Sequence, residues 1–93
     1  MNPTECILEN MSELRNAYRV SSLGIFGSFA RGEANESSDV DILVEFSDNV
    51  DLFHFIRLQY HLSEILGRKV DLVTPEALKP EIKDRILQEV LYI

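Results

Sequence analysis

The chain has 93 residues, and that length predicts a single small domain over residues 1–93. A hydrophobic share of 45% argues against disorder, while no apolar run approaches the ~20 residues needed to span a bilayer, which predicts no membrane contact. Nine Lys and Arg against sixteen Asp and Glu leave a net charge of −7. No basic stripe is present of the kind that tracks a phosphate backbone, so direct nucleic-acid binding is not expected and a basic protein partner is favoured. Cys6 is the only cysteine, which rules out an internal disulfide, and the first residues lack the basic-then-apolar pattern of a secretory leader. The expected compartment is the cytoplasm.

Residues 3–18 read as the first helix. Asn2 suits the cap, Pro3 the first helical position, and Glu5 falls where a capping box needs it, while Ile7, Met11, Leu14 and Tyr18 recur at helical spacing as a buried stripe. Residues 23–26 are an apolar run ending at Gly27 and predict the first strand. A short helix over 29–33 and a polar loop over 34–38 lead to a second strand, Val40–Phe46, closed by the turn cluster Ser47-Asp48-Asn49.

The longest helix is expected over 51–66, started by Asp51 or Asn49 and stopped by Gly67. Leu52, Phe55, Ile56, Leu62 and Leu66 make its expected core stripe. Phe53, Leu58, Tyr60 and Ile65 are surplus to that stripe, which leaves two readings: cover by another helix of this chain, or a partner surface. His54 and His61 lie seven residues apart with no Cys or acidic pair near them in sequence, and read as helix-contact histidines rather than metal ligands. A third strand follows at Val70–Val73, broken by Asp71, and Thr74-Pro75 ends it. Pro80 opens the last helix, with Ile82, Ile86 and Val90 at helical spacing, and Leu91-Tyr92-Ile93 leaves an apolar ending that hints at burial against another chain. This order predicts an α+β fold with a small mixed β-sheet of three or four strands, helices packed on one face and the site on the other. So thin a core favours oligomerisation.

The chemistry gathers around Gly27-Ser28 and Asp39-Val40-Asp41. On a strand Val40, Ile42 and Val44 face one way and Asp39 and Asp41 the other, so two carboxylates are neighbours despite their repulsion. A divalent cation removes that penalty, and hard oxygen ligands are what Mg²⁺ prefers. Gly27 permits close backbone approach, and Ser28 offers a hydroxyl and a free N–H at a helix start, where phosphate is attracted. Arg31 has two readings, a carboxylate partner that holds the loop or a contact to triphosphate, since guanidinium suits both. Asp71 among Val70, Leu72 and Val73 would be costly in a fully buried strand but makes sense beside metal and water.

Gly27-Ser28, ten intervening residues, then Asp39-x-Asp41 entering an apolar strand resembles the signature of the DNA polymerase beta-like nucleotidyltransferase superfamily. The fuller string GSFARGEANESSDVDILVEF is similar to its smallest branch, the minimal nucleotidyltransferase (MNT) domains, and Asp71 matches that family's third carboxylate. The resemblance covers the chain from Leu23 onward and implies a nucleotidyltransferase-like fold. It also implies roles that agree with the residue reading: Asp39 and Asp41 on metal ions that bridge a triphosphate, Asp71 with Asp41 on the metal at the acceptor hydroxyl, and Gly27 and Ser28 on the β and γ phosphates. Two Mg²⁺ and ATP as donor are the implied cofactor and substrate.

MNT proteins are commonly paired with helical HEPN toxins and act as their antitoxins, in some pairs by adenylylating a tyrosine of the toxin. The resemblance therefore implies a HEPN-type partner, a hetero-oligomer, and a tyrosine hydroxyl as acceptor. Two alternatives stand beside it: an antitoxin that only binds and occludes, and a small-molecule nucleotidyltransferase completed by a separate helical chain.

Overall fold

The computed structural model describes residues 2–93. Asn2 caps the first helix by accepting the Glu5 N–H (2.9 Å), with Pro3 in the first turn where its missing N–H costs nothing. The expected helix over 3–18 is two helices, α1 (Pro3–Glu9) and α2 (Met11–Ala17). Asn10 breaks it at φ −105°, ψ 6°, donating through its backbone to Ile7 O and through its side chain to Cys6 O. A short polar side chain that competes for the helix carbonyls makes such a break inexpensive. Ile7 and Leu14 are fully buried on either side of it, with Met11 and Tyr18 packed against the core as their spacing predicts.

Strand β1 spans Val20–Phe26 and starts three residues earlier than the apolar run suggests. Ser22 joins it by pairing with Glu45 of β2 (Val40–Phe46), and Ser21 falls in the break of register between Val20 and Ser22, a bulge that an irregular polar residue tolerates. The four-residue α3 (Ser28–Arg31) follows β1 directly. Helix α4 (Leu52–Leu66) is capped by Asp51, whose carboxylate accepts the His54 N–H, and ends at Gly67. It returns the chain so that β3 (Val70–Val73) pairs parallel to β2. A 3₁₀ turn at Pro75–Ala77 precedes α5 (Pro80–Glu89), and the apolar ending forms a further strand, β4 (Leu91–Tyr92).

The sheet order is β3-β2-β1-β4, with β1 antiparallel to both of its neighbours. The sheet is thus mixed and four-stranded, as the α+β reading expects. Val40, Ile42 and Val44 lie fully buried with Leu23, Ile25, Val70 and Leu72 in the core under the helices. On the opposite face Gly24 lacks a side chain, and Val90 lies where its Cβ would point. The last residues are drawn into this fold. Ile93 donates its N–H to Leu23 O (2.9 Å) and packs on the core, while Leu91 and Tyr92 stay exposed.

The core face of α4 differs from expectation. Leu58 and Leu62 are fully buried, flanked by Phe55, Ile65 and Leu66, whereas Leu52 and Ile56 are exposed. Leu52 (69%), Phe53 (76%) and Tyr60 (68%) stand well out from the surface, so no other helix of the described residues covers them. Two apolar stripes share this helix, and α1 and β3 settle on the one carrying Leu58 and Leu62. Among the described residues no helix is long and apolar enough to cross a membrane.

Candidate active site

The sheet topology brings four chain segments to one end. The end of β1, the start of β2 and the start of β3 meet there, because Phe26 pairs with Asp41 and Asp41 pairs in register with Asp71. The end of α5 arrives beside them, since β4 begins opposite Ile25.

Asp41 and Asp71 are direct neighbours on adjacent strands and share a face of the sheet. Asp39 lies two residues before Asp41, just ahead of β2. Burial pushes the Asp41 carboxyl above its ordinary range, and the nearby charges of Asp71 and Asp39 push it further, partly offset by Arg31. The compensation within the protein is slight. Lys69 Nζ stands 3.8 Å from Asp39 Oδ2, with the Lys69 side chain largely in water and that of Asp39 partly so. Among the described residues no three acidic, His or Cys side chains are drawn together into a ready metal cage. The donor set itself suits a hard divalent cation: carboxylate oxygens only, one of them on a group whose charge is disfavoured as it stands.

Gly27 sits at φ 74°, ψ −148°, a conformation an L side chain rarely adopts, and a Cβ there would collide with Asp41 Oδ2. Glycine is thus required twice, for the turn and for the approach of the carboxylate. The turn places Ser28, half-buried, at the first position of α3.

The loop carrying Asp39 is tied down from two sides. Asn35 accepts from Ser37 and its N–H donates to Ser38 Oγ, while Arg68 donates to Asn35 O and Ser38 O (both 2.9 Å) and its guanidinium lies over the Phe29 ring. No sequence pattern marks Arg68, which acts from 30 residues away.

Arg31 is paired with two carboxylates, the contact that the first of its two readings expects. Its Nε donates to Glu33 Oε1 (2.6 Å) and its Nη1 to Glu89 Oε1 (2.9 Å). Glu89 also accepts the Gly27 N–H through Oε2 (2.8 Å). The hydrogen bonds from Arg31 and Gly27 hold the Glu89 carboxyl below its usual range. Glu89 carries no signal in sequence, being one acidic residue at a helix end, 62 positions from Gly27.

His54 and His61 make helix contacts, as expected. His54 Nε2 meets Tyr18 O (2.7 Å), and His61 Nε2 meets Glu13 Oε1 (2.6 Å) with Tyr18 stacked on its ring. Two hollows of about 430 and 440 Å³ lie elsewhere. One is at the far end of β2 around Phe46 and Thr74, the other between Pro3, Phe29 and Leu91, and neither is lined by any of the three aspartates.

A glycine–serine turn leading into a one-turn helix, beside acidic residues on neighbouring strands of a small mixed sheet, defines a nucleotidyltransferase. The chain belongs to the nucleotidyltransferase domain family, whose model matches residues 6–93. It is 48% identical over 81 residues to the protein adenylyltransferase MntA of Thermococcus cleftensis, an alignment covering 87% of this chain and 82% of that one. Among solved structures it is similar to a minimal nucleotidyltransferase at TM-score 0.79 and 32% identity, with 98% and 95% of the two chains covered. Its fold also recurs in the complex of an MNT antitoxin with a tri-AMPylated HEPN toxin of Shewanella oneidensis, at TM-score 0.69 and 19% identity over 98% of this chain and 71% of that one.

Proposed function

We propose that this nucleotidyltransferase is an antitoxin that transfers AMP from ATP to a tyrosine hydroxyl of a HEPN-type toxin in the cytoplasm. The observation that carries the reading is the in-register pair Asp41 and Asp71, set against a turn that only glycine can make. The 48% identical relative named as a protein adenylyltransferase supports AMP as the group and a protein as the acceptor. The MNT antitoxin complex with its AMPylated HEPN toxin supports the class of partner.

In this reading Asp39, Asp41 and Asp71 hold two Mg²⁺. Bound there, the ions supply charge neutralisation along the triphosphate and lower the pKa of the acceptor hydroxyl. Ser28, through its hydroxyl and N–H, grips the β and γ phosphates. Gly27 shapes that grip by its turn and by the room it leaves for Asp41, since its own N–H is engaged by Glu89. Arg31 keeps the turn in place through Glu89 and Glu33. The tyrosine oxygen forms the new bond to the α-phosphorus as the bond to the departing pyrophosphate breaks.

A second reading, an antitoxin that neutralises by occlusion alone, is favoured by the exposed stripe Leu52, Phe53, Ile56 and Tyr60 on α4. One experiment separates the two. The chain is incubated with its toxin, Mg²⁺ and ATP labelled on the α-phosphate. AMP on a toxin tyrosine, lost with Asp41→Asn, bears out the transferase. A tight complex with no label, together with full neutralisation by Asp41→Asn, would establish occlusion instead.

A further inference from the structure

We propose that Glu89 is a positioning residue for the nucleotide: its carboxylate staples both ends of α3 and so holds the glycine–serine turn in its phosphate-gripping form. This rests on the reading of Gly27 and Ser28 as part of the nucleotide site. The argument begins with α3 itself. Four residues make one helical turn, and a helix that short has no stability of its own, since nucleation costs more than one turn returns. The turn before it is held at positive φ, with Gly27 pressed close against the Asp41 carboxylate. Something outside α3 must hold it.

Glu89 meets both ends. Oε2 takes the Gly27 N–H at the helix start, and Oε1 takes Arg31 Nη1 at its last residue. Both bonds have a charged partner, the stronger class of hydrogen bond. Glu89 is itself fixed by what surrounds it in the chain. It is the last residue of α5, Val90 lies over Gly24, and β4 begins immediately after, opposite Ile25. The C-terminal segment is thereby coupled to the nucleotide grip. A carboxylate taking up the Gly27 N–H also leaves the triphosphate to Ser28, which sets where the phosphates lie along the turn.

The test uses the full chain, with hydrogen exchange of the α3 amides and MgATP affinity by calorimetry as its two readouts. Glu89→Gln keeps the size of the side chain but loses its charge and one of its two acceptors. It should speed exchange across residues 28–33 and weaken MgATP, each by about tenfold, while α4 keeps its protection. Arg31→Lys, which leaves the Gly27–Glu89 bond in place, should move both readouts the same way by a smaller factor. It also serves as the second variant if Glu89→Gln folds poorly. Ile7→Val, a change in the buried core under the helices, should lower the melting temperature without touching MgATP affinity, separating local positioning from general destabilisation.

Unchanged α3 exchange in Glu89→Gln would overturn the inference and leave the nucleotide site intact. Faster exchange with unchanged MgATP affinity would reduce Glu89 to a structural contact and overturn it too. Tighter MgATP binding by the variant would mean that the carboxylate competes with phosphate, again the opposite of the proposal. A wild-type chain that binds no MgATP would overturn the reading of the site itself, and the inference with it.

Discussion

At the scale of single residues, the site is an arrangement of charges that the metal-free protein tolerates rather than favours. Asp41 is the clearest case, since its carboxyl is raised first by burial and then by Asp71 and Asp39. A group with a raised folded-state pKa favours folding at low pH and loses that contribution as pH rises through the raised value. Asp41→Asn should therefore leave the metal-free chain as stable at pH 7 or more stable, by up to about 1 kcal/mol given the partial exposure of the group. The advantage should shrink as pH falls through the raised pKa, while transfer activity is lost. Urea titrations at several pH values in chelator check this, and a loss of several kcal/mol at pH 7 would make Asp41 structural. Glu89 has the opposite sign. Its depressed pKa stabilises the fold above the ordinary Glu value, and that contribution fades as pH falls through the depressed one.

Gly27 gives a second prediction at this scale. Alanine there must adopt a positive-φ conformation that is essentially reserved for glycine, costing roughly 1–3 kcal/mol, and its Cβ must displace Asp41. Gly27→Ala should lower the denaturation midpoint and abolish AMP transfer together. Retention of activity would mean that the turn does not set the carboxylate.

At the scale of elements, α4 holds two apolar stripes with different fates. Leu58 is fully buried, and Leu58→Ala should cost about 2–5 kcal/mol of stability. Phe53 and Tyr60 stand out in water, so Phe53→Ala and Tyr60→Ala should change the free chain by no more than about 0.5 kcal/mol. In complex with the proposed toxin partner the same two changes should speed dissociation, by about 2 kcal/mol each where the aromatic ring is an interface anchor. Denaturation curves and surface-binding kinetics on the three variants decide it. Dissociation rates equal to wild type would put the interface elsewhere.

The elements also show how far local pattern reaches. The bounds of β2 and β3 agree with their alternating apolar runs, and α4 begins and ends within a residue of its expected limits because Asp51 and Gly67 are chemically suited to those ends. The first helix was legible only as an amphipathic stretch. Ile7 and Leu14 keep one periodicity across the break, so the pattern does not show that Asn10 turns the backbone aside. β4 was illegible because two exposed residues owe their strand to the free edge of β1 and not to their own sequence.

At the scale of the whole molecule, an acidic chain presents its carboxylates on an open face, and ligands should be felt throughout the fold. A ligand that binds only the folded state stabilises it by mass action, about 2.7 kcal/mol at a hundred times its dissociation constant. Millimolar MgATP should raise the melting temperature of the wild type and leave that of Asp41→Asn unmoved, as thermal scans with and without chelator would show. An equal shift in both proteins would place the nucleotide away from Asp41. The net charge of −7 further predicts that association with the proposed toxin partner slows as salt is raised, the mark of a basic face on that partner.

The sequence alone determined what depends on neighbours along the chain. It contained the glycine–serine turn, the Asp39-x-Asp41 pair entering a strand, the caps of α1 and α4, and the third aspartate in an apolar run, each readable because turn, cap and strand chemistry act over a few residues. Tertiary structure decided what depends on contacts between distant segments. Register across the β2–β3 crossover set Asp71 beside Asp41, and packing chose which stripe of α4 faces the core. The pairing of β4 with β1 carried Glu89 to Gly27 and Arg31, giving Arg31 a carboxylate partner that the sequence does not mark. Periodicity shows that a helix has an apolar face, but with two such faces only the competing contacts of α1, β3 and solvent can select one. A lone glutamate acquires a role in the same way, from the groups that folding places around it.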